Sequence, residues 1–179
     1  ISIASPHFNW TAYICVAYII GATLTQALFL AIHELSHGLF FKSRRHNKWF
    51  AILTNLPLVI PFSESFRLYH VDHHKYQGVD GVDTDIPSEL EIRWVRGPFR
   101  KALWCSCQIV VYALRPLAIK GHAINKYHVL NFSVQLVFNI FWVGLFGWGP
   151  IRYCLFCMLL AGGLHPCAGH FISEHYVFP

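Results

Sequence analysis

Charge is what this sequence has least of. Asp, Glu, Lys and Arg make up only 13% of its 179 residues, while 55% are apolar, against roughly 25% and 45–50% in soluble domains. So little charge cannot cover a soluble surface, and it points to a membrane protein rather than a large soluble core. Mean hydropathy is +0.41. The formal net charge of +5 comes without any RNA- or DNA-binding motif, so no nucleic-acid partner is expected. A glycine-rich flavin or nicotinamide fingerprint is also missing, and any redox chemistry would need electrons from a partner. Six cysteines (Cys15, Cys105, Cys107, Cys154, Cys157, Cys167) lie mostly in apolar runs, where cysteine acts as a small hydrophobe. Cys154 and Cys157 have CxxC spacing, but no second pair joins them. Ile1 opens the chain and Pro179 closes it without a polar tail, which reads as a fragment.

Long uncharged runs are what the sequence does have. Residues 11–32 carry no charge over 22 positions; as a helix they reach about 33 Å, enough for a hydrocarbon core of about 30 Å. Residues 129–148 and 153–171 are expected to be the second and third spans, joined as an antiparallel hairpin through the break 147–152. Trp10 and Trp148 then sit at span ends, where interfacial aromatics belong. The expected fold class is all-α, a multi-span helical membrane protein forming one domain over residues 1–179. Two shorter pieces interrupt the middle. Residues 50–62 contain Pro57 and Pro61 and read as an interfacial or re-entrant piece. Residues 102–119 are broken by Arg115-Pro116 and read as a helix lying in the interface, with a full span there as the alternative.

The basic residues give an orientation. Thirteen of fourteen Lys and Arg lie between residues 42 and 126, with Arg152 the exception. The positive-inside rule then puts 33–128 on the cytosolic side. Asn9-Trp10-Thr11, a glycosylation sequon, falls on the outer side against the membrane.

Histidine is the chemical signal. Eight of twelve histidines fall into three groups: His33 and His37; His70, His73 and His74; His165, His170 and His175. Positions i, i+3 and i+4 share one helix face, so the rings within a group can converge. With the topology above, all three groups meet at one membrane face, a histidine-rich metal-binding face on the cytosolic side. His7, His46, His122 and His128 are expected at solvent or interface, and His165 in packing. Glu34 and Asp72 lie inside the motifs and are expected to orient imidazoles. The turn Asp80-Gly81-Val82-Asp83-Thr84-Asp85 lacks EF-hand register and reads equally as a turn or as support for the metal site.

Two metal chemistries compete. His33-Glu34-Leu35-Ser36-His37 fits the H-E-x-x-H motif of zinc proteases, with Glu34 as base. A protease needs only three protein ligands and an open position, which leaves the other imidazoles without a role. Six or more imidazoles suit two metals. Two irons suit O2 activation against an unactivated C–H bond in a lipid chain.

HELSH (33–37) and HVDHH (70–74) resemble the first two histidine boxes of membrane fatty-acyl desaturases. LAIHELSH (30–37), NLPLVIPFSESF (55–66), YHVDHHKYQGVDGVDTDIP (69–87), YALRP (112–116) and HPCAGHFISEHYVF (165–178) are similar to its sphingolipid delta-4, or dihydroceramide, desaturase branch. The resemblance implies an endoplasmic-reticulum membrane enzyme that introduces a trans double bond into dihydroceramide. It implies two Fe ions, O2, and electrons from cytochrome b5 and its NADH-dependent reductase. By the same resemblance His33, His37, His70, His73 and His74 are iron ligands, with His170 and His175 as further candidates. Sphingolipid C4-hydroxylation remains an alternative on the same site. The family's third box, of the form HNEHH, and its first span are absent, so these residues alone are expected to be inactive. Gly38 stands where the family often has Asn.

Overall fold

The computed structural model describes residues 9–169, and every regular element among them is helical. The first helix starts where the Asn9 side chain accepts the Ala12 N–H at 3.0 Å. It runs as α1 (Trp10–Val16), a π-helical stretch (Ala17–Ala22) and α2 (Thr23–His37), continuous over 28 residues. That is about 42 Å, longer than a hydrocarbon core of about 30 Å. Ile14, Val16, Ile19, Ile20 and Leu24 face outward, while Ala17, Ala22 and Gln26 are buried. At Gly21 a Cβ would overlap Cys157, so glycine lets the two backbones approach.

His37 is the last residue of this helix because Gly38 follows at φ 76°. Gly38 donates to the Leu35 carbonyl at 3.1 Å and Leu39 to that of Glu34 at 3.2 Å, the paired closure of a Schellman end. The chain turns back into α3 (Arg44–Asn55), which packs on α2 with Ile32, Leu35, Ala51 and Ile52 buried between them.

Between Leu56 and Phe62 the backbone is a short 3-10 turn (Leu56–Leu58) followed by Val59 at φ 68°. A β-branched residue there is strained. Amide side chains hold it. Asn55 donates to the Ile60 carbonyl at 2.6 Å and accepts from the N–H groups of Phe62 (2.9 Å) and Ser63 (2.8 Å). From α7 (Lys126–Phe146), Gln135 donates to Leu56 O at 3.0 Å and Asn139 to Val59 O at 2.9 Å, while Asn131 accepts from the Ser63 hydroxyl at 3.1 Å. These amides at i, i+4 and i+8 line one face of an otherwise apolar helix. They satisfy irregular backbone that lipid could not.

α4 (Ser63–Lys75) packs on α2, α3 and α7. A turn-rich loop with Gly78 and Gly81 at positive φ leads to α5 (Glu89–Trp94), started by a Ser88–Glu91 capping box, and to α6 (Gly97–Ile119). α7 begins at a second capping box, in which His128 Nδ1 accepts the Asn125 N–H at 3.2 Å. α8 (Gly149–Ala161) follows the turn at Gly147 and packs on α7 and the π-helical stretch.

Among the described residues two helices are long and apolar enough to cross a membrane, Trp10–His37 and Lys126–Phe146. The helix expected over 153–171 is different. It starts earlier, because Pro150 suits a first turn, and it stops at Ala161 before Gly162-Gly163. With 13 residues it is about 20 Å long, short of a bilayer. Its last carbonyl is bonded instead, with Gln26 Nε2 2.6 Å from Ala161 O. α6 begins five residues before the expected 102 and continues through Pro116 to Ile119.

Candidate metal centre

His33 and His37 end α2, and His70 and His74 occupy the last turns of α4. Each pair is spaced i, i+4, so each helix presents two rings on one face, and the helices pack with those faces together. The rings meet edge to face: His33–His37 and His37–His70 at 4.8 Å between centroids, His33–His70 at 4.4 Å, His70–His74 at 4.5 Å and His37–His74 at 4.9 Å. One ligand nitrogen from each of the four lies within 4.8 Å of the others. Phe66 stacks on His70 at 5.0 Å, with Phe29 behind it. His70 is buried, His33 is half-buried, and His37 and His74 are open to solvent.

Burial pushes the His70 imidazolium down to about 2, and the surrounding rings His33, His74, His37 and His73 push the same way. Burial, then His73 and His33, also lowers His74. His70 and His74 therefore stay neutral at physiological pH, with lone pairs available to a cation. The spacing fits one. His70 Nε2 stands 2.9 Å from His37 Nε2 and 3.1 Å from His74 Nε2. Two nitrogens bound at right angles to one ion, each about 2.1 Å from it, lie about 3.0 Å apart. A single N–H on His70 can point at only one of these neighbours, whereas a shared cation satisfies all three. The donor set therefore fits a metal such as iron.

Supporting contacts follow the same logic. Glu34 lies 3.2 Å from His33 Nδ1. His73 sits beside the four, its ring 5.4 Å from that of His74, and turns Nδ1 to Asp83 at 2.8 Å and Asp85 at 3.6 Å. Burial raises the Asp83 carboxyl, but N–H bonds from Gly78 and Asp85 and the His73 contact outweigh it and leave it below the ordinary aspartate value.

Asp72 does not orient an imidazole of its own motif. At about 100° per residue it points away from the His70–His74 face, and it takes Lys120 at 2.8 Å with His122 at 3.2 Å. His122 is half-buried there rather than exposed. His165 packs, as expected, its buried ring 4.9 Å from Tyr18. His170 and His175 lie outside the described residues. Arg115, read from sequence only as a break in an apolar run, forms a two-point ion pair with Glu91, at 3.2 Å and 2.5 Å. A lone arginine among apolar residues was itself the signal, since a buried charge requires a partner.

The fatty acid desaturase family model matches residues 8–178. The chain is 44% identical over 170 residues to a sphingolipid delta(4)-desaturase DES1-like protein of Oryza sativa, covering 95% of this chain and 52% of that protein. It is 46% identical over 173 residues to the sphingolipid delta(4)-desaturase of Candida albicans, covering 97% and 46%. Against a sphingolipid delta(4)-desaturase/C4-monooxygenase of Rattus norvegicus it is 44% identical over 172 residues, covering 95% and 53%. The chain thus spans about half the length of the curated relatives it matches. No solved structure matches.

Proposed function

For this chain, which belongs to the fatty acid desaturase family, we propose the function of a sphingolipid delta-4 desaturase that converts dihydroceramide to ceramide. The cluster of His33, His37, His70 and His74, in a chain 44–46% identical to proteins of that name, carries this reading. These four imidazoles would hold iron, with His73 adjoining and His170 and His175 as further ligands toward a second ion. Bound iron would supply the O2-dependent removal of hydrogen from unactivated carbon. Phe29 and Phe66 line the buried side of the cluster and keep water from that side. His37 and His74 leave the other side accessible.

The protein is read as an endoplasmic-reticulum membrane protein with this face toward the cytosol. The concentration of basic residues between 42 and 126 supports that orientation. α6 is read as lying along the interface: Glu91 contacts Trp104 at 3.2 Å and also Arg115, so both halves of α6 run beside one short helix. Electrons are assigned to cytochrome b5 and its NADH-dependent reductase, as the resemblance to the desaturases implies.

A zinc protease would use His33 and His37 with one more ligand, and it gives no reason for His70 and His74 to face them. Lipid analysis of a dihydroceramide-accumulating host expressing the full-length protein that carries these residues tests the proposal. Ceramide with a trans double bond at C4 is expected. Unchanged dihydroceramide in a host where the protein is membrane-inserted and iron-loaded would refute it, and 4-hydroxylated product alone would reassign the chemistry to C4-hydroxylation.

A further inference from the structure

Arg115 is a buried cation on a helix that is apolar for most of its length. Its guanidinium does more than pair with Glu91. Nη1 donates to the backbone carbonyls of Thr84 at 3.3 Å and Asp85 at 3.1 Å, so α6 grips the loop that follows the second histidine motif. That loop is gathered around the buried Asp83. Oδ2 of Asp83 accepts the Gly78 N–H at 2.9 Å, and Oδ1 accepts the Asp85 N–H at 2.9 Å and faces His73 Nδ1 at 2.8 Å. Both carboxylate oxygens are thus engaged, and the carboxylate is fixed in place before it meets the imidazole.

We propose that Asp83 and Arg115 are positioning residues for His73, with Asp83 holding the Nδ1–H tautomer and Arg115 holding the loop that carries Asp83. The inference rests on the reading above that these histidines hold iron. A carboxylate on Nδ1 leaves Nε2 of His73 as the nitrogen with a lone pair, fixes the ring plane and makes the ring more basic toward a metal. His73 and Asp83 are each buried, so the imidazole cannot swing to another partner without opening the loop. Arg115 accomplishes its part through two carbonyls and two carboxylate contacts, a forked geometry that lysine cannot reproduce. The acidic turn and the Arg-Pro interruption, separate features of the sequence, become one brace.

The experiment measures iron per chain, apparent iron affinity and the ⁵⁷Fe Mössbauer spectrum of the membrane-embedded protein. The variants are Asp83→Asn, Arg115→Lys and His73→Ala, with Asp83→Asn also placed in the His73→Ala background and His74→Ala as a reference. Asp83→Asn is expected to weaken iron binding about 10–100-fold and to change the spectrum, and Arg115→Lys to do so more mildly. Once His73 is gone, Asp83→Asn should have no further effect on iron, a non-additivity that general loop damage would not produce. If Asp83→Asn fails to accumulate, the milder Arg115→Lys carries the same test. Wild-type affinity and spectrum in Asp83→Asn and Arg115→Lys, with iron lost in His74→Ala, overturn the brace. So does an equal loss in both backgrounds. Iron retained in His74→Ala would instead overturn the metal centre itself.

Discussion

His70 Nε2 lies 2.9 Å from His37 Nε2, so two motifs 33 residues apart in sequence meet nitrogen to nitrogen. Replacing His37, His70 or His74 by Ala should therefore each remove iron and delta-4 product, at least tenfold at about the scale of metal-site lesions. Metal analysis of the intact protein should give about two irons per chain and little zinc. His165→Ala should keep its iron and lower only the unfolding temperature, because that ring packs against Tyr18. A stoichiometric zinc that survives His74→Ala but disappears with His33→Ala would favour the protease chemistry instead.

The left-handed end at Gly38 gives a graded prediction. Its φ of 76° suits glycine, and asparagine next. Gly38→Asn is expected to keep both stability and iron. Gly38→Val should cost about 1–2 kcal/mol and loosen iron, since His37 is the adjoining helical residue. Thermal unfolding and iron content of the two variants check this; equal behaviour would mean the turn does not position His37.

Much of the histidine cluster was legible because its spacing is local. An i, i+4 pair declares a helix face, and two such pairs in a charge-poor chain declare a meeting. The carboxylate that faces His73 was harder to identify. Asp72 sits inside the motif but on the wrong side of α4, whereas Asp83 reaches His73 only because Gly78 and Gly81 turn the loop back. That path is a property of the folded chain. Hydropathy also concealed Asn131, Gln135 and Asn139, since an average over a span does not register polar residues on one face. Their four-residue spacing was visible, but their targets, the carbonyls of Leu56 and Val59, were not. The end of α8 was overrun for a related reason: Leu164 and Phe171 extend the apolar run past glycines that stop the helix.

Acid should test the α4 anchor. Glu64 is buried, which alone would raise its carboxyl, but the two-point pair with Arg67, the Asn125 amide and Lys48 outweigh that and hold it below the ordinary glutamate value. A carboxyl lowered by folding contributes stability that is complete above its unfolded value, near 4.3 on about the model-peptide scale. That contribution is lost as pH falls through the lower folded value. Glu64→Gln should be less stable than the parent at neutral pH by about 1–3 kcal/mol, and the difference should shrink in acid below about pH 4. Denaturation curves of both proteins across pH 3–7 measure it. A gap independent of pH would mean Glu64 acts through shape alone.

The position of α6 predicts a labelling pattern. Because Glu91 meets both Trp104 and Arg115, the two ends of the α5–α6 unit should be reached from one side of the membrane. Leu90→Cys and Gly121→Cys, both at exposed positions, should react with an impermeant thiol reagent from the cytosolic side in a background without accessible cysteines. Labelling from opposite sides would require α6 to cross and would separate the histidine motifs from the basic section around them.

The amide stripe on α7 also sets an order of assembly. Gln135 and Asn139 serve carbonyls 79 and 80 residues earlier in the chain. At a synthesis rate of about 5–20 residues per second, the bend at Leu56–Phe62 exists for about 4–16 s before those amides are made. Throughout that interval its carbonyls would have no partner inside lipid. The newborn bend is therefore kept at the wet surface of the bilayer until α7 inserts beside it, and only then can it settle to its final depth. A chain stalled before residue 131 should consequently leave Leu58 and Val59, both buried in the finished fold, open to a protease from the aqueous side.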